Sequence, residues 1–283
     1  MRMSSNARQV KRYYHSFESM VGYRLVVGGV KHFGIHPDPS HPVSIAEAQK
    51  HENSLVAKAL EVKPGAKVLE CGCGEGSAAN QIAGETGAEI TGIDLLPRNL
   101  ARARKQAAKL GNKNSFQEGD YMNLPFADNS FDAAYAMETL VHAPDAVELF
   151  TGIARVLKPG GKLVFCEYSM TPRSKLSVAS NQIMSHVNQL SSMPALEEFT
   201  TGAFPEILAM AGFKNVKVTD YTKEFLPTVK YFWRLGRQPM KIITKLGLEN
   251  HFVNAYSAVK IYDALLGGEE IIQYNLVQAT VDK

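Results

Sequence analysis

The sequence has little of what marks several large protein classes. Only three cysteines occur in 283 residues. Cys71 and Cys73 stand too close together for a disulfide framework, which predicts a reducing, cytoplasmic setting. No uninterrupted apolar run reaches the roughly 18 residues that span a bilayer, so no integral membrane segment is expected. Met1 to Lys11 is polar and basic with no apolar stretch behind it, which argues against a secretory signal. Charge of one sign is also scarce: 31 lysines and arginines meet 28 acids, a net +3. So small an excess gives nucleic acid no electrostatic footing. Internal repeats and low-complexity segments are absent. What remains is an ordinary globular composition, 45% hydrophobic and 21% charged, long enough to bury one sizeable core.

Residues 1–50 read as an N-terminal helical extension. Val10, Tyr13, Tyr14, Phe17 and Val21 fall at near-helical spacing between Arg8 and Arg24, and glycines and prolines then break residues 28–39. Ser44 with Glu47 has the pattern of a capping box, opening a helix to about Leu60. From Lys67 short apolar strands alternate with amphipathic helices. Strands are expected at Val68–Glu70, Glu89–Asp94, Asn114–Gly119, Phe131–Met137 and Lys162–Tyr168, with helices near 77–84, 98–110 and 146–157. Further helices are expected at 176–190, 204–211 and across 228–267, and further strands at 215–219 and 271–281. Such alternation implies parallel pairing through right-handed crossovers. The fold class is α/β: a Rossmann-like, doubly wound, mostly parallel seven-stranded sheet. Residues 51–283 form the core, and a helical lid comes from the N-terminal extension and insertions near 172–203 and 222–267. These insertions overhang the carboxyl ends of the strands, where ligands bind.

The sharpest chemical signal is Gly72-x-Gly74-x-Gly76, placed between the first strand and the helix after it. Glycines there allow a tight turn and a close backbone approach to a ligand. Asp94 ends the next strand about 20 residues on, suited to ribose hydroxyls. A dinucleotide site would share both features, but its fingerprint is G-x-G-x-x-G; here the loop is G-x-G-x-G, and Ala79 is the residue that would serve instead of the third glycine. Glu70 decides between them. A carboxylate before the loop repels a pyrophosphate and accepts from an α-ammonium group, which favours S-adenosylmethionine (SAM) over a nicotinamide dinucleotide. Asp120, after the third strand, suits the exocyclic amine of adenine.

Gly119 to Asp132, and Leu157-Lys158-Pro159-Gly160-Gly161-Lys162-Leu163, resemble the later motifs of class I SAM-dependent methyltransferases. Met137-Glu138-Thr139-Leu140-Val141-His142-Ala143-Pro144-Asp145 and Cys166-Glu167-Tyr168-Ser169-Met170-Thr171 are similar to the sterol C-24 methyltransferase group, as is Gly267-Gly268-Glu269-Glu270-Ile271 more loosely. The resemblance implies SAM as cofactor, S-adenosylhomocysteine as product, and a hydrophobic small molecule as substrate. It also implies a cofactor site drawing on Tyr14, Leu95, Asn99, Tyr121 and Met137 beside the residues already named. The chain departs from the sterol enzymes at Lys31-His32-Phe33-Gly34-Ile35, where they carry a Tyr-x-Trp-Gly box. Its single tryptophan is Trp233, far along in the lid.

Two chemistries follow from this reading. Carbon methylation of an isoprenoid-derived alkene leaves a carbocation, which calls for aromatic faces or a carboxylate and then a base. Methylation of nitrogen or oxygen in an alkaloid-like or phenolic compound needs alignment, or a base such as histidine. A third possibility is SAM binding without transfer, as in a cyclase subunit. The catalytic candidates are Glu138 and His142 after the fourth strand and Glu167 after the fifth; Tyr168, and His32 with Tyr14 and Tyr23, are further candidates. His142 suits a base or a structural histidine in the Ala143-Pro144 turn, and Glu167 suits a cation-stabilising carboxylate or a loop anchor. Cys71-Gly72-Cys73 lacks zinc spacing, and no metal is expected. The basic run at Ala101–Gln106 reads as a solvated helix face rather than a nucleic-acid patch. A homo-oligomer is compatible with the sequence.

Overall fold

In the computed structural model, which describes residues 5–16, 18, 30 and 32–283, the strands join one seven-stranded sheet. The strands are β1 (Lys67–Cys71), β2 (Glu89–Asp94), β3 (Ser115–Glu118), β4 (Phe131–Met137), β5 (Leu157–Met170), β6 (Phe213–Asp220) and β7 (Ile272–Val281). Their order is β3-β2-β1-β4-β5-β7-β6. All neighbours pair in parallel except β7, which runs antiparallel to both β5 and β6.

Helices α2 (Ile45–Leu60), α3 (Ser77–Thr86), α4 (Pro97–Leu110), α5 (Ala146–Val156) and α7 (Phe204–Met210) cover the sheet. The rest of the helical material is α1 (Ser5–Tyr14), α6 (Val178–Ser191), α8 (Thr222–Lys245) and α9 (Val253–Leu266). The capping box at the start of α2 forms as the sequence predicts. Ser44 Oγ accepts from the Glu47 N–H, and the Glu47 carboxylate accepts from the Ser44 N–H. Successive strand side chains point to opposite faces, so β1 feeds two cores. Val68 packs on one side with Ile90 and Tyr135, and Leu69 on the other with Ile93 and Phe150. A strand buried on both faces must read as a continuous apolar run, which is how Val68-Leu69 stands out in the sequence.

Two boundaries differ from the sequence expectation for local reasons. β5 begins at Leu157 instead of Lys162, because Leu157 already pairs with Phe131 before a register shift carries the ladder on to Ala133 and Lys162. The expected helical stretch at 228–267 starts earlier, at Thr222, and splits in two. Gly247, with φ +66°, ends the first helix by entering the left-handed region. α1 ends at Tyr14; the rest of the helix expected up to Arg24 falls largely on Phe17 and residues 19–24, Val21 and Tyr23 among them, which lie outside the described residues, as do Gly28, Gly29 and Lys31.

The strand order reverses between β1 and β4, which grow outward in opposite directions. A doubly wound sheet opens a crevice at that point. α1 closes one side of the crevice, with Asn6 Nδ2 donating to the His142 carbonyl and Arg98 Nη2 to the Tyr14 carbonyl. The 32–36 loop closes another: Ile35 N–H donates to the Ala48 carbonyl and His36 N–H to Glu224. Gly34 makes that approach possible. At φ +91° a Cβ would stand 2.6 Å from the Gln49 nitrogen, closer than any side chain tolerates.

Candidate active site

The loop after β1 is the floor of the crevice. Gly72, Gly74 and Gly76 all take positive φ, at +74°, +52° and +78°. At Gly72 a Cβ would meet Thr139 Oγ1 at 2.5 Å, and at Gly76 it would meet Ala103 Cβ at 2.9 Å. Gly72 therefore sets how closely the loop approaches the segment after β4, and Gly76 sets how α3 packs on α4. Asp94 locks the loop: its carboxylate accepts from the N–H groups of Gly74 (2.9 Å) and Leu96 (2.7 Å) and from Asn99 Nδ2 (3.1 Å).

Tyr14, Gly72, Asp94, Leu95, Tyr121 and Met137 line the resulting cleft. Val10, Lys11, Gly119 and Thr139 line it too; sequence reasoning missed these, and only the helical phase of Tyr14 hinted at the first two. Asn99 is buried and reaches Asp94 rather than the cleft wall. The Asp120 carboxylate caps its own turn by accepting from the Met122 N–H. Glu70 also lies outside the wall, buried beside Tyr135. Burial pushes its carboxyl up to about 8 against the lowering influence of that tyrosine. Among the described residues neither Glu70 Oε2 nor the Tyr135 hydroxyl finds a hydrogen-bond partner at proper geometry.

Glu138 follows β4 in the left-handed region, at φ +50°, a conformation that costs a non-glycine residue about 1–2 kcal/mol. Three segments compensate for it. Its Oε1 accepts from the Phe33 N–H (2.7 Å) and the Tyr274 hydroxyl (2.9 Å), and its Oε2 accepts from the Tyr168 hydroxyl. Tyr274 also touches Glu52, and Glu52 Oε2 sits 2.8 Å from His32 Nδ1. A phenol carries one proton, so both of its carboxyl contacts require a further proton on one of the acids. Burial and the charge of Glu52 raise Glu138 to about 7, while His32, Tyr168 and the Phe33 N–H oppose that rise. Burial drives His32 down, but the charge and hydrogen bond of Glu52 outweigh it and hold the imidazole above its ordinary value. His32, Glu52 and Glu138 bring their ligand atoms within 4.8 Å of one another, a donor set that a divalent cation would also accept. Glu52 and Tyr274 carry no motif and were invisible in the sequence.

His142 ends a 3-10 turn, Leu140–His142. Its Nδ1 lies 2.7 Å from the Ser192 carbonyl, which only accepts, so that nitrogen bears the proton. Nε2 is then the acceptor, and the Tyr14 hydroxyl approaches it at 3.0 Å. Glu167 is fully buried and lines neither cavity. It accepts from the N–H groups of Val141 and Tyr168, which anchors the turn that carries His142. Burial pushes its carboxyl up to about 8.

A second cavity of about 410 Å3 opens on the far side of Glu138 and Tyr14, which line both compartments. Its wall is mostly apolar, drawn from α6, α8 and α9, with Phe33, Phe225, Phe232 and Tyr168 near Glu138.

The Methyltransferase domain family matches residues 69–165. The chain is 30% identical to the S-adenosyl-L-methionine-dependent Diels-Alderase iccD of Talaromyces variabilis, over 90% of both proteins. The chain belongs to the SAM-dependent methyltransferases. This methyltransferase is also 46% identical to the sterol 24-C-methyltransferase ERG6B of Gibberella zeae over 124 residues, 43% of this chain and 32% of that protein. The [4+2]-cyclase SpnF shares the fold, with a TM-score of 0.73 and 23% identity over 99% of this chain and 98% of that one.

SAM is the cofactor of the family, and the cleft fits it. The positive-φ glycines hold the floor in a tight turn packed on Thr139 and Ala103, and Glu70 Oε2, without a hydrogen-bond partner among the described residues, lies just behind that floor. Asp94 would hold ribose hydroxyls while keeping its grip on the loop.

Asp94→Ala should therefore weaken SAM binding by about 1.5–3 kcal/mol, a loss of tenfold or more. Titration calorimetry on the folded variant checks this, and unchanged affinity would remove Asp94 from the site. A second expectation concerns pH. The folded-state pKa of Glu167 is raised from 4.5 to about 8, so the folded protein holds a proton that the unfolded chain releases. That contribution is full below pH about 4.5 and is lost as pH rises through about 8. Glu167→Gln should lose less stability than the parent over that window, read by urea denaturation at each pH.

Proposed function

We propose that the protein transfers the SAM methyl group to a carbon of an isoprenoid-derived alkene. The observation that carries this reading is the shared wall: Glu138 and Tyr14 face both the cofactor cleft and the apolar cavity. An apolar acceptor in the cavity would meet the methyl group there. SAM, when bound, supplies a methyl group already activated by its sulfonium charge.

The chain's own residues then have three tasks. The apolar wall excludes water and aligns the acceptor carbon, converting a two-body encounter into an oriented one. As the new C–C bond takes the alkene's electron pair, the neighbouring carbon becomes cationic. The faces of Phe33, Phe225 and Tyr168 and the carboxylate of Glu138 lie where they would stabilise that charge. Finally Glu138, with its pKa near 7, accepts the proton that restores the double bond. The local likeness to a sterol 24-C-methyltransferase supports the same chemistry.

One observation favours a second reading. His142 presents Nε2 as an acceptor because the Ser192 carbonyl holds the proton on Nδ1. That is the tautomer required of a base removing a hydroxyl proton. Oxygen methylation of an apolar alcohol or phenol is the corresponding activity.

Radiolabelled SAM offered with sterols, prenylated indoles and phenolic acceptors separates the readings. Carbon methylation puts the label on carbon, and Glu138→Gln should then lower turnover on the order of 10²-fold while SAM affinity moves little. Oxygen methylation puts the label on oxygen. His142→Gln should then cause the comparable loss. Product formed without release of S-adenosylhomocysteine would overturn both readings in favour of chemistry like that named for iccD.

A further inference from the structure

Helix α8 carries a pattern that neither the sheet nor the active site uses. Tyr231, Leu235, Ile242 and Leu246 are exposed at 42%, 50%, 64% and 64%. Their spacing places them on one stripe of the helix, since residues four and seven apart share a face. Each follows a cation directly: Lys230, Arg234, Lys241 and Lys245. At 100° per residue the four cations form a second exposed row along one side of the apolar stripe. Among the described residues none of the four enters an ion pair.

We propose that this face of α8 docks on an anionic lipid surface, with the apolar stripe entering the headgroup boundary and the cations meeting lipid phosphates. Two observations select that partner. The first is charge: a stripe flanked by uncompensated lysines and arginines is the arrangement by which an amphipathic helix lies in a membrane interface. A second copy of the chain fits the same face poorly. A twofold contact pairs a surface with itself, and would bring two rows of cations together on a helix whose single acid, Glu224, lies in its first turn. The second observation is continuity with the cavity. Leu235 stands on the stripe and in the cavity wall, and Pro239, exposed one turn further along, lines the cavity as well. Pro239 has no N–H, so it leaves the Leu235 carbonyl without its helical partner at the same place. The docked face would thus border the entrance through which an apolar molecule leaves the lipid. No helix among the described residues is long and apolar enough to cross a membrane, so the contact is with one surface of the bilayer. The inference does not depend on which atom receives the methyl group.

Vesicle co-sedimentation tests it, comparing phosphatidylcholine with phosphatidylcholine–phosphatidylserine mixtures. The full chain should pellet with the anionic vesicles and be released by salt. Lys241→Glu with Lys245→Glu should weaken the binding by about tenfold or more, and Ile242→Ser with Leu246→Ser should weaken it similarly. Both double variants should keep the parent's SAM affinity, which shows that they fold. The proposal fails if the parent binds neither vesicle, or if it binds both equally and ignores the charge reversal. It fails also if the parent sedimentes as a dimer that Ile242→Ser with Leu246→Ser dissociates, with no binding to lipid.

Discussion

The Glu138 carboxyl holds the site together. It is a buried acid in a strained backbone conformation, and it survives there because three donors from distant segments converge on it. Phe33 brings in the N-terminal loop, Tyr168 comes from β5 and Tyr274 from β7. Among the described residues Oε2 is met by Tyr168, and removing that hydroxyl would leave an expensive unpaired oxygen in a low-dielectric pocket. The same convergence fixes the lid's inner edge against the sheet and places a titratable group between the two cavities. Fold and chemistry therefore share one constraint.

The proton shared across Glu52, Tyr274 and Glu138 gives this arrangement a particular character. A carboxyl near neutrality can release or accept a proton at little cost, which is the property acid–base chemistry requires. Its neighbour His142 achieves readiness differently, through a fixed tautomer. Two groups thus flank the same space, one a buried carboxyl and the other an imidazole held in one tautomer. Glu167, which the sequence offered as a cation-stabilising carboxylate or a loop anchor, stands behind them and supports the turn from which His142 projects.

The sheet and the cofactor cleft were legible in the sequence because they are local. A glycine loop between a strand and a helix, an acid ending the next strand, and a capping box each fit within a few consecutive residues. The rest of the site is assembled from across the chain. Glu52 lies on a helix before the core, and Tyr274 lies in the last strand, 222 residues away, yet their side chains touch. Neither residue carries a pattern, since one is an ordinary helical acid and the other an ordinary strand aromatic. Asn99 and Asp120 show the opposite limit. Each has the right residue type beside the cleft, but local geometry turns one toward Asp94 and the other onto its own turn.

A wall shared by two compartments has a thermodynamic consequence. Tyr14 and Glu138 face the glycine-loop cleft on one side and the apolar cavity on the other. A molecule that orders these side chains from either side lowers the cost of ordering them for the other. Such coupling is reciprocal: whatever factor the acceptor adds to cofactor affinity, the cofactor must return to acceptor affinity. The two occupants are thereby partners in one binding equilibrium, although each has a compartment of its own.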